Sequence, residues 1–233
     1  MATSAGDLPP HLAHKWRQEL LEQMRGEEIL DADELSLFEW YVHENGKVIE
    51  RMLAEERAFV NEQIDAGQTD ASADNAGWLV AEYHIKRIRY ADVIYMASLL
   101  EMYLAKACKK VTTILGEHNV VFRSDELAGD KWTKRKKFLE RYGRFEFPPD
   151  NWSELQVLVR VRNILVHENG SSESITASDK NQLVARGITV DRHELVIEDA
   201  FITHCFLAFR LLVAFVGQQV DQMAARALHP ESL

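Results

Sequence analysis

The chain has 233 residues, of which 46% are hydrophobic and 27% are charged, and its formal net charge is −10. This length suits one sizeable core, or one core with a helical extension, in a soluble globular protein. The 5 prolines and 11 glycines favour helices over a turn-rich β fold. The first ten residues contain no apolar signal region, and the longest near-apolar run, 205–217, is too short to span a bilayer. We therefore expect a cytoplasmic protein without membrane contact.

The N-terminal part of the chain is predicted to be helical and acidic. Apolar spacing predicts one helix from His11 to about Leu30 and a second helix from Asp33 to Ile64. Residues 27–66 contain twelve acidic side chains against three basic ones, a balance of −9. This segment therefore carries most of the net negative charge of the chain.

A boundary is predicted after the acidic segment. Residues 65–77 are small, polar and rich in helix breakers, which indicates a connector. The connector divides an acidic helical arm, 1–66, from a main domain, 77–228. The helix that follows has apolar residues at alternating spacings of four and three, the pattern of a packed bundle helix that ends near Gly116. These seam residues are Val93, Ala97, Leu100, Leu104, Ala107, Val111 and Ile114.

Residues 130–144 form a basic segment with seven cations against two acids, a balance of +5. Aromatic residues are interleaved with the cations, which predicts a short helix that stops near Gly143. A solvated helical face is the plain interpretation, and a strip that binds RNA phosphates is the alternative. The cations predicted to bind RNA are Lys131, Lys134, Arg135, Lys136 and Lys137.

The C-terminal third completes the predicted fold. A helix starts at Asp150, a natural N-cap, and runs to about Glu168, where Asn-Gly ends it. A helical turn is predicted at 179–186, then a small hairpin at 188–197, then a last helix at about 198–227. We therefore predict an all-α fold, an antiparallel helical bundle with a short β-hairpin before the last helix.

The helix that ends near Glu168 carries polar residues among apolar ones. Residues on a helix advance by about 100° each, and on this wheel Arg162 projects from the middle of the apolar arc. Asn163, His167 and Arg160 fall on the opposite strip. A buried arginine needs an acid or a bound anion because it cannot lose its charge. Glu101, beside the seam of the long helix, is the predicted partner; an ordinary exposed acid is the alternative.

The imidazole of His167 lies in the last turn of its helix, where unpaired carbonyls favour the protonated form. A histidine that titrates near neutrality can give or accept a proton. The alternative is a core histidine bonded to a carbonyl, with Arg162 in a structural ion pair. The same pentapeptide, Val-His-Glu-Asn-Gly, also occurs at 42–46, and we interpret its recurrence at 166–170 as coincidence.

The run Arg162-Asn163-Ile164-Leu165-Val166-His167 resembles the Arg-x(4–6)-His signature of the HEPN superfamily, including the polar residue that often follows the arginine. The resemblance covers residues 77–228 and includes the helical context. That superfamily comprises helical-bundle domains, many of them metal-independent ribonucleases of toxin–antitoxin and other defence systems. Arg160 also satisfies the spacing and stays as a second choice for the arginine.

The resemblance implies a homodimer in which two signature helices line a shared cleft. A ribose 2′-hydroxyl would attack the adjacent phosphate, with His167 as general acid or base. Arg162 would stabilise the transition-state charge, and Asn163 would orient the phosphate or the imidazole. RNA is thus the expected substrate and an antitoxin protein a possible partner. The acidic segment 27–66 is a candidate shield for the basic strip.

Two other classes of function remain open. One is a non-catalytic HEPN-like dimer that binds RNA or protein, and the other is a structural dimer without RNA affinity. No metal or cofactor is predicted, because the sequence has no His-Glu-x-x-His, and His11 and His14 are a weak pair near the terminus. Cys108 and Cys205 fall in apolar helical patterns, where they are expected to act as small hydrophobic residues.

Overall fold

A computed structural model of the chain describes Glu19 and residues 32–67, 71–116 and 119–228. Apart from Glu19, the predicted helix at His11–Leu30 lies outside the described residues, as do the histidines within it. The described residues form six α-helices, one π-helical turn and a two-stranded antiparallel hairpin, which confirms the predicted all-α class. In chain order the elements are α1 (Ala32–Asp65), α2 (Ala71–Leu115), α3 (Lys131–Phe138) with its π-helical turn (Leu139–Gly143), α4 (Pro149–His167), α5 (Ala177–Val184), β1 (Ile188–Asp191), β2 (Glu194–Ile197) and α6 (Asp199–Leu228).

The start of α2 differs from the prediction. Residues 71–77, predicted to belong to a connector, are helical. Ala71, Ala73 and Ala76 are strong helix formers, and a glycine inside a helix costs only about 1 kcal/mol relative to alanine. The alanines therefore outweigh Gly77, and the helix continues through a stretch whose polar composition indicates a loop.

The chain divides into two compact units. Of the described residues, unit one comprises 99–152 and 210–228, and unit two comprises 33–98 and 153–209. Helices α2 and α6 each contribute to both units. Helix α1 belongs to unit two together with part of the predicted main domain. The division therefore differs from the predicted boundary, which separates an acidic arm, 1–66, from a main domain, 77–228.

The core of unit one is aromatic. Phe138 and Phe145 are fully buried, and the Phe147 ring lies 5.4 Å from the Phe215 ring. The Tyr103 hydroxyl, also buried, donates a hydrogen bond of 2.9 Å to the Val213 carbonyl. The apolar residues of the basic segment thus face inward, which confirms its short helix and leaves the cations at the surface.

The core of unit two joins α1, α2, α4 and α6. The Phe38 ring of α1 lies 4.6 Å from the Tyr95 ring and 5.3 Å from the Phe206 ring. The Tyr90 hydroxyl donates to the Leu195 carbonyl at 2.6 Å. Gly170 packs against Tyr90 so closely that an added Cβ would lie 2.5 Å from the hydroxyl oxygen. The contacts of Tyr90 therefore hold α2, β2 and the end of α4 together.

The hairpin lies where the alternation of apolar residues predicts it. Asp191 pairs with Glu194, and the two residues between them, Arg192 and His193, have positive φ angles of 44° and 69°. Positive φ at both central residues matches the right-handed twist of the strands in a two-residue turn. Leu195 of β2 is fully buried, so the hairpin closes one side of the unit-two core.

Helix α6 is the most apolar element. Among the described residues it is the one helix long and apolar enough to cross a membrane by length and composition, over Asp199–Ala227. Phe201, Phe209 and Val216 of α6 are each buried within their units, and a core helix passes the same length and composition test. The finding is therefore weak evidence for a membrane span.

Candidate functional site

Helix α4 buries one face and exposes the other. Arg162 is half-buried rather than buried, so the prediction that it projects from the middle of a buried apolar face is wrong. The wheel counted Val159 and Val166 as core, but Val159 is half-buried and Val166 is 45% exposed. Polar strip residues Asn163 and His167 are exposed, as the wheel predicts. The buried residues of α4 are Trp152, Leu155, Leu158, Val161, Ile164 and Leu165.

The guanidinium of Arg162 turns toward the polar strip. Its Nη1 donates a hydrogen bond of 3.0 Å to the Asn163 side-chain oxygen. Asn163 and His167 are four residues apart, so they are neighbours on one helix face. Within the described residues, no carboxylate lies at ion-pair distance from Arg162. The structure thus brings the three predicted catalytic residues to one solvent-facing side of α4, with the arginine charge uncompensated.

His167 is the last residue of α4, and the chain turns sharply after it. Both the Glu168 and Gly170 amides donate to the Ile164 carbonyl, at 3.0 Å and 3.1 Å. Asn169 and Gly170 have left-handed φ angles of 53° and 80°. The imidazole therefore projects into solvent beside the negative end of the helix dipole.

A second arginine, absent from the predictions, reaches the same end of α4. Arg87 of α2 donates from Nη1 to the Asn169 side-chain oxygen at 3.1 Å. Its Cζ lies 4.9 Å from the centre of the Tyr83 ring and 5.9 Å from that of Tyr90. The only sequence signal was the cluster of three cations at 86–89, just before the apolar seam of α2. The contact with Asn169 depends on tertiary packing.

Most other arginines of unit two are bonded to carboxylates. Arg160, the second choice for the site, donates to both oxygens of Asp179, at 2.8 Å and 2.5 Å. This bond lowers the pKa of Asp179 below its ordinary range. Arg186 likewise donates to both oxygens of Glu154, at 2.7 Å and 2.8 Å. The fold already engages Arg160, so the geometry favours Arg162 over it.

A buried ion cluster, which was not predicted from the sequence, holds α1, α2 and α6 together in unit two. Asp92 is 1% exposed and Arg89 is 5% exposed, and Arg89 also pairs with Asp199. Asn45 of α1 donates to Asp92 at 3.2 Å. Burial raises the pKa of Asp92 to about 6, against the opposing charge of Arg89. Arg89 lies one turn before Val93, so extending the apolar seam backwards would have found it.

Glu101, the predicted partner of Arg162, has other contacts. Its carboxylate lies 3.3 Å from Lys131 Nζ and 3.3 Å from Arg135 Nη1. Arg135 also donates to the Glu101 carbonyl at 2.8 Å. Lys131 and Arg135 thus occupy the place that was predicted for Arg162 beside Glu101. The carboxylate is half-buried, so it is not an ordinary exposed acid either.

The remaining cations predicted to bind RNA also have partners within unit one. Lys134 donates to the Asp125 carbonyl at 3.0 Å, and Lys137 donates to the Ala128 carbonyl at 3.3 Å. Lys136 pairs with Glu140 at 2.6 Å. The basic segment thus closes the loop before α3 as well as carrying surface charge.

The two cysteines are buried, as predicted. Burial raises the pKa of the Cys108 thiol to about 12, and the pKa of the Cys205 thiol rises for the same reason. Neither thiol is therefore a nucleophile at neutral pH. In the described part of the chain, no group of three or more histidine, cysteine or acidic side chains is placed to hold a metal ion.

The end of α4 combines two kinds of chemistry. Arg87 and Arg162 each bond an asparagine amide, which holds a guanidinium in place without neutralising it. His167 stands between those asparagines in the chain and can transfer a proton. The two arginines can therefore bind an anion, and His167 can accept or donate a proton. Comparison of the chain with protein-family models, curated proteins and solved structures finds no match.

Proposed function

We propose that the protein is a metal-independent endoribonuclease of the HEPN type, a toxin or defence component that works in the cytoplasm. The observation that carries the proposal is the uncompensated guanidinium of Arg162, bonded to Asn163 on the same exposed strip as His167. A cation held by an amide, rather than by a carboxylate, keeps its charge for a phosphate.

The proposed reaction divides an RNA strand at one phosphate. The 2′-oxygen loses its proton to the neutral imidazole of His167 and bonds to phosphorus, while the bond from phosphorus to the 5′-oxygen breaks. The leaving 5′-oxygen takes a proton, and the products are a 2′,3′-cyclic phosphate and a 5′-hydroxyl. Arg162 stabilises the extra negative charge of the transition state, and Asn163 orients the phosphate or the imidazole.

The proposal includes a homodimer, because two proton transfers need two groups. His167 of one copy accepts the first proton, and His167 of the second copy supplies the other. The exposed Val166 beside His167 gives the strip an apolar edge suited to a protein contact. An antitoxin protein is the proposed regulatory partner.

A second candidate function is a non-catalytic module that binds RNA or protein. The observation that favours it is chemical. Among the described residues of the exposed α4 strip, His167 is the one histidine. One chain alone could bind a phosphate there without cleaving it.

The test is an RNA cleavage assay in the presence of a chelator. His167→Ala is expected to abolish cleavage, whereas His43→Ala, in the identical pentapeptide at 42–46, is expected to leave the rate unchanged. A substrate with a 2′-deoxy sugar at the cleaved position should not be cleaved, because it lacks the attacking hydroxyl. Equal rates for wild type and His167→Ala would reject the nuclease, and RNA binding without any cleavage would favour the module.

A further inference from the structure

We propose that Tyr83 and Arg87 of α2 form the part of this site that holds an unpaired nucleotide. The Tyr83 ring stacks on the base and the Arg87 guanidinium contacts the adjoining phosphate, so the substrate is single-stranded RNA. This inference rests on the proposed function and deepens it by naming the substrate class.

The first support is that Arg87 is fixed at the end of α4. Its bond to Asn169 joins α2 to the turn that directly follows His167. The left-handed Asn169 aims its side chain at α2, and Gly170 lets Tyr90 approach the turn without a steric clash. The position of Arg87 is therefore set by the same packing that ends α4, without a flexible loop between the two.

The second support is the charge of Arg87. Lys86, its neighbour in the chain, is paired with Glu194. Within the described residues, no carboxylate lies at ion-pair distance from Arg87, whose contacts are an amide oxygen and two aromatic rings. Its positive charge is therefore available to a phosphate beside His167.

The third support is the open ring of Tyr83. Tyr83 is 53% exposed, although Arg87 lies against it. The ring of His84 meets it edge-on, at 6.0 Å and 77°. Aromatic rings and arginine planes hold the splayed bases of single-stranded RNA, whereas bases in a duplex are already stacked and out of reach. An exposed tyrosine stacked on an arginine therefore favours an unpaired base.

The experiment measures RNA binding by fluorescence anisotropy in full-length protein that carries His167→Ala, so that no probe is cleaved. Three probes are used: an unstructured RNA oligonucleotide, the same strand in a duplex, and the same strand with abasic sites. Tyr83→Ala should weaken binding of the first probe about tenfold, with little effect on the other two. Tyr83→Trp should preserve binding, because tryptophan keeps a stacking surface.

The matched control for the ring is Tyr95→Ala, a tyrosine of the same helix that is 49% exposed. Arg87→Gln tests the phosphate contact. It should lower the slope of log affinity against log salt by about 0.7, the value for one phosphate of a single strand. Arg57→Gln, an exposed arginine of α1, should leave that slope unchanged. Circular dichroism verifies that each variant is folded.

The outcomes separate the two proposals. If the first probe binds but Tyr83→Ala behaves like Tyr95→Ala, the stacking inference is overturned and the nuclease proposal stands. Equal effects of Tyr83→Ala on single strand and duplex also overturn it. If the protein with His167 intact neither binds nor cleaves any RNA, both proposals fail together.

Discussion

The basic segment at 130–144 contains more cations than the end of α4, yet three of the five that are predicted to bind RNA are paired with carboxylates. Lys131 and Arg135 share the single negative charge of Glu101, and Lys136 pairs with Glu140, whereas Lys134 and Lys137 donate to backbone carbonyls and keep their charge. At the end of α4, in the other unit, Arg87 and Arg162 have amide oxygens as their hydrogen-bond acceptors. The number of cations in a segment is therefore a poor measure of the charge it can offer a ligand.

The largest expected effect concerns cleavage. Arg162→Ala should lower the rate of RNA cleavage at least 100-fold, because the transition state loses a charge-stabilising donor. Lys137→Ala, which removes an exposed cation of the basic segment, should change the rate less than threefold. Single-turnover cleavage of one labelled RNA measures both variants. Equal decreases in the cleavage rate for Arg162→Ala and Lys137→Ala would show that the basic segment contributes as much to cleavage as the end of α4.

The next effect concerns stability and the compensated arginines. Arg89→Met should lower the free energy of unfolding by about 3 kcal/mol, because it leaves the buried Asp92 without its cation. Arg162→Met should cost less than about 1 kcal/mol, since no buried acid among the described residues pairs with Arg162. Urea denaturation measures both. A smaller decrease in the free energy of unfolding for Arg89→Met than for Arg162→Met would contradict a structural role for Arg89 and a functional role for Arg162.

The pH dependence of stability tests the buried acid. The pKa of Asp92 is raised to about 6 by burial, while an aspartate in the unfolded chain titrates near about 3.9. The folded state thus holds the proton more tightly, and this group lowers the free energy of unfolding as the pH rises from about 4 to about 6. Asp92→Asn should remove that decline, which is about 3 kcal/mol for a pKa difference of about two units. Parallel stability curves for the two proteins would exclude a raised pKa.

The smallest expected effect comes from releasing the basic segment. Glu101→Gln frees Lys131 and Arg135 from their shared carboxylate, and RNA affinity at low salt should rise about twofold. The gain should vanish at high salt, where exposed charges are screened. Anisotropy at two salt concentrations measures it. An unchanged affinity at low salt would mean that these cations do not meet RNA at all.

Much of the fold could be predicted because its signals are periodic. The seam from Val93 to Ile114 is buried along its whole length, and the hairpin lies within the range predicted for it, 188–197. The connector predicted at 65–77 was wrong over 71–77, because polar composition was weighed above the helix propensity of three alanines. Local propensity and packing together decide such a stretch, and composition alone does not.

The site could be predicted only in part. Spacing alone places Asn163 and His167 on one exposed strip, and the structure agrees. The prediction that Arg162 is buried was wrong, because a helical wheel does not show which part of an apolar arc packs against another helix. Arg87 and Asn169 are 82 residues apart in the chain. A contact at that separation follows from how two helices pack, and no pattern in either segment predicts it.

The repeated pentapeptide Val-His-Glu-Asn-Gly is a natural experiment in conformational context. In α1 all five residues are helical, and Asn45 reaches sideways to Asp92. After α4, the corresponding Asn169 and Gly170 reverse the backbone, and Asn169 meets Arg87 instead. Inserting these five residues into another helix would thus not create the site, because the site requires the helix to end within the pentapeptide.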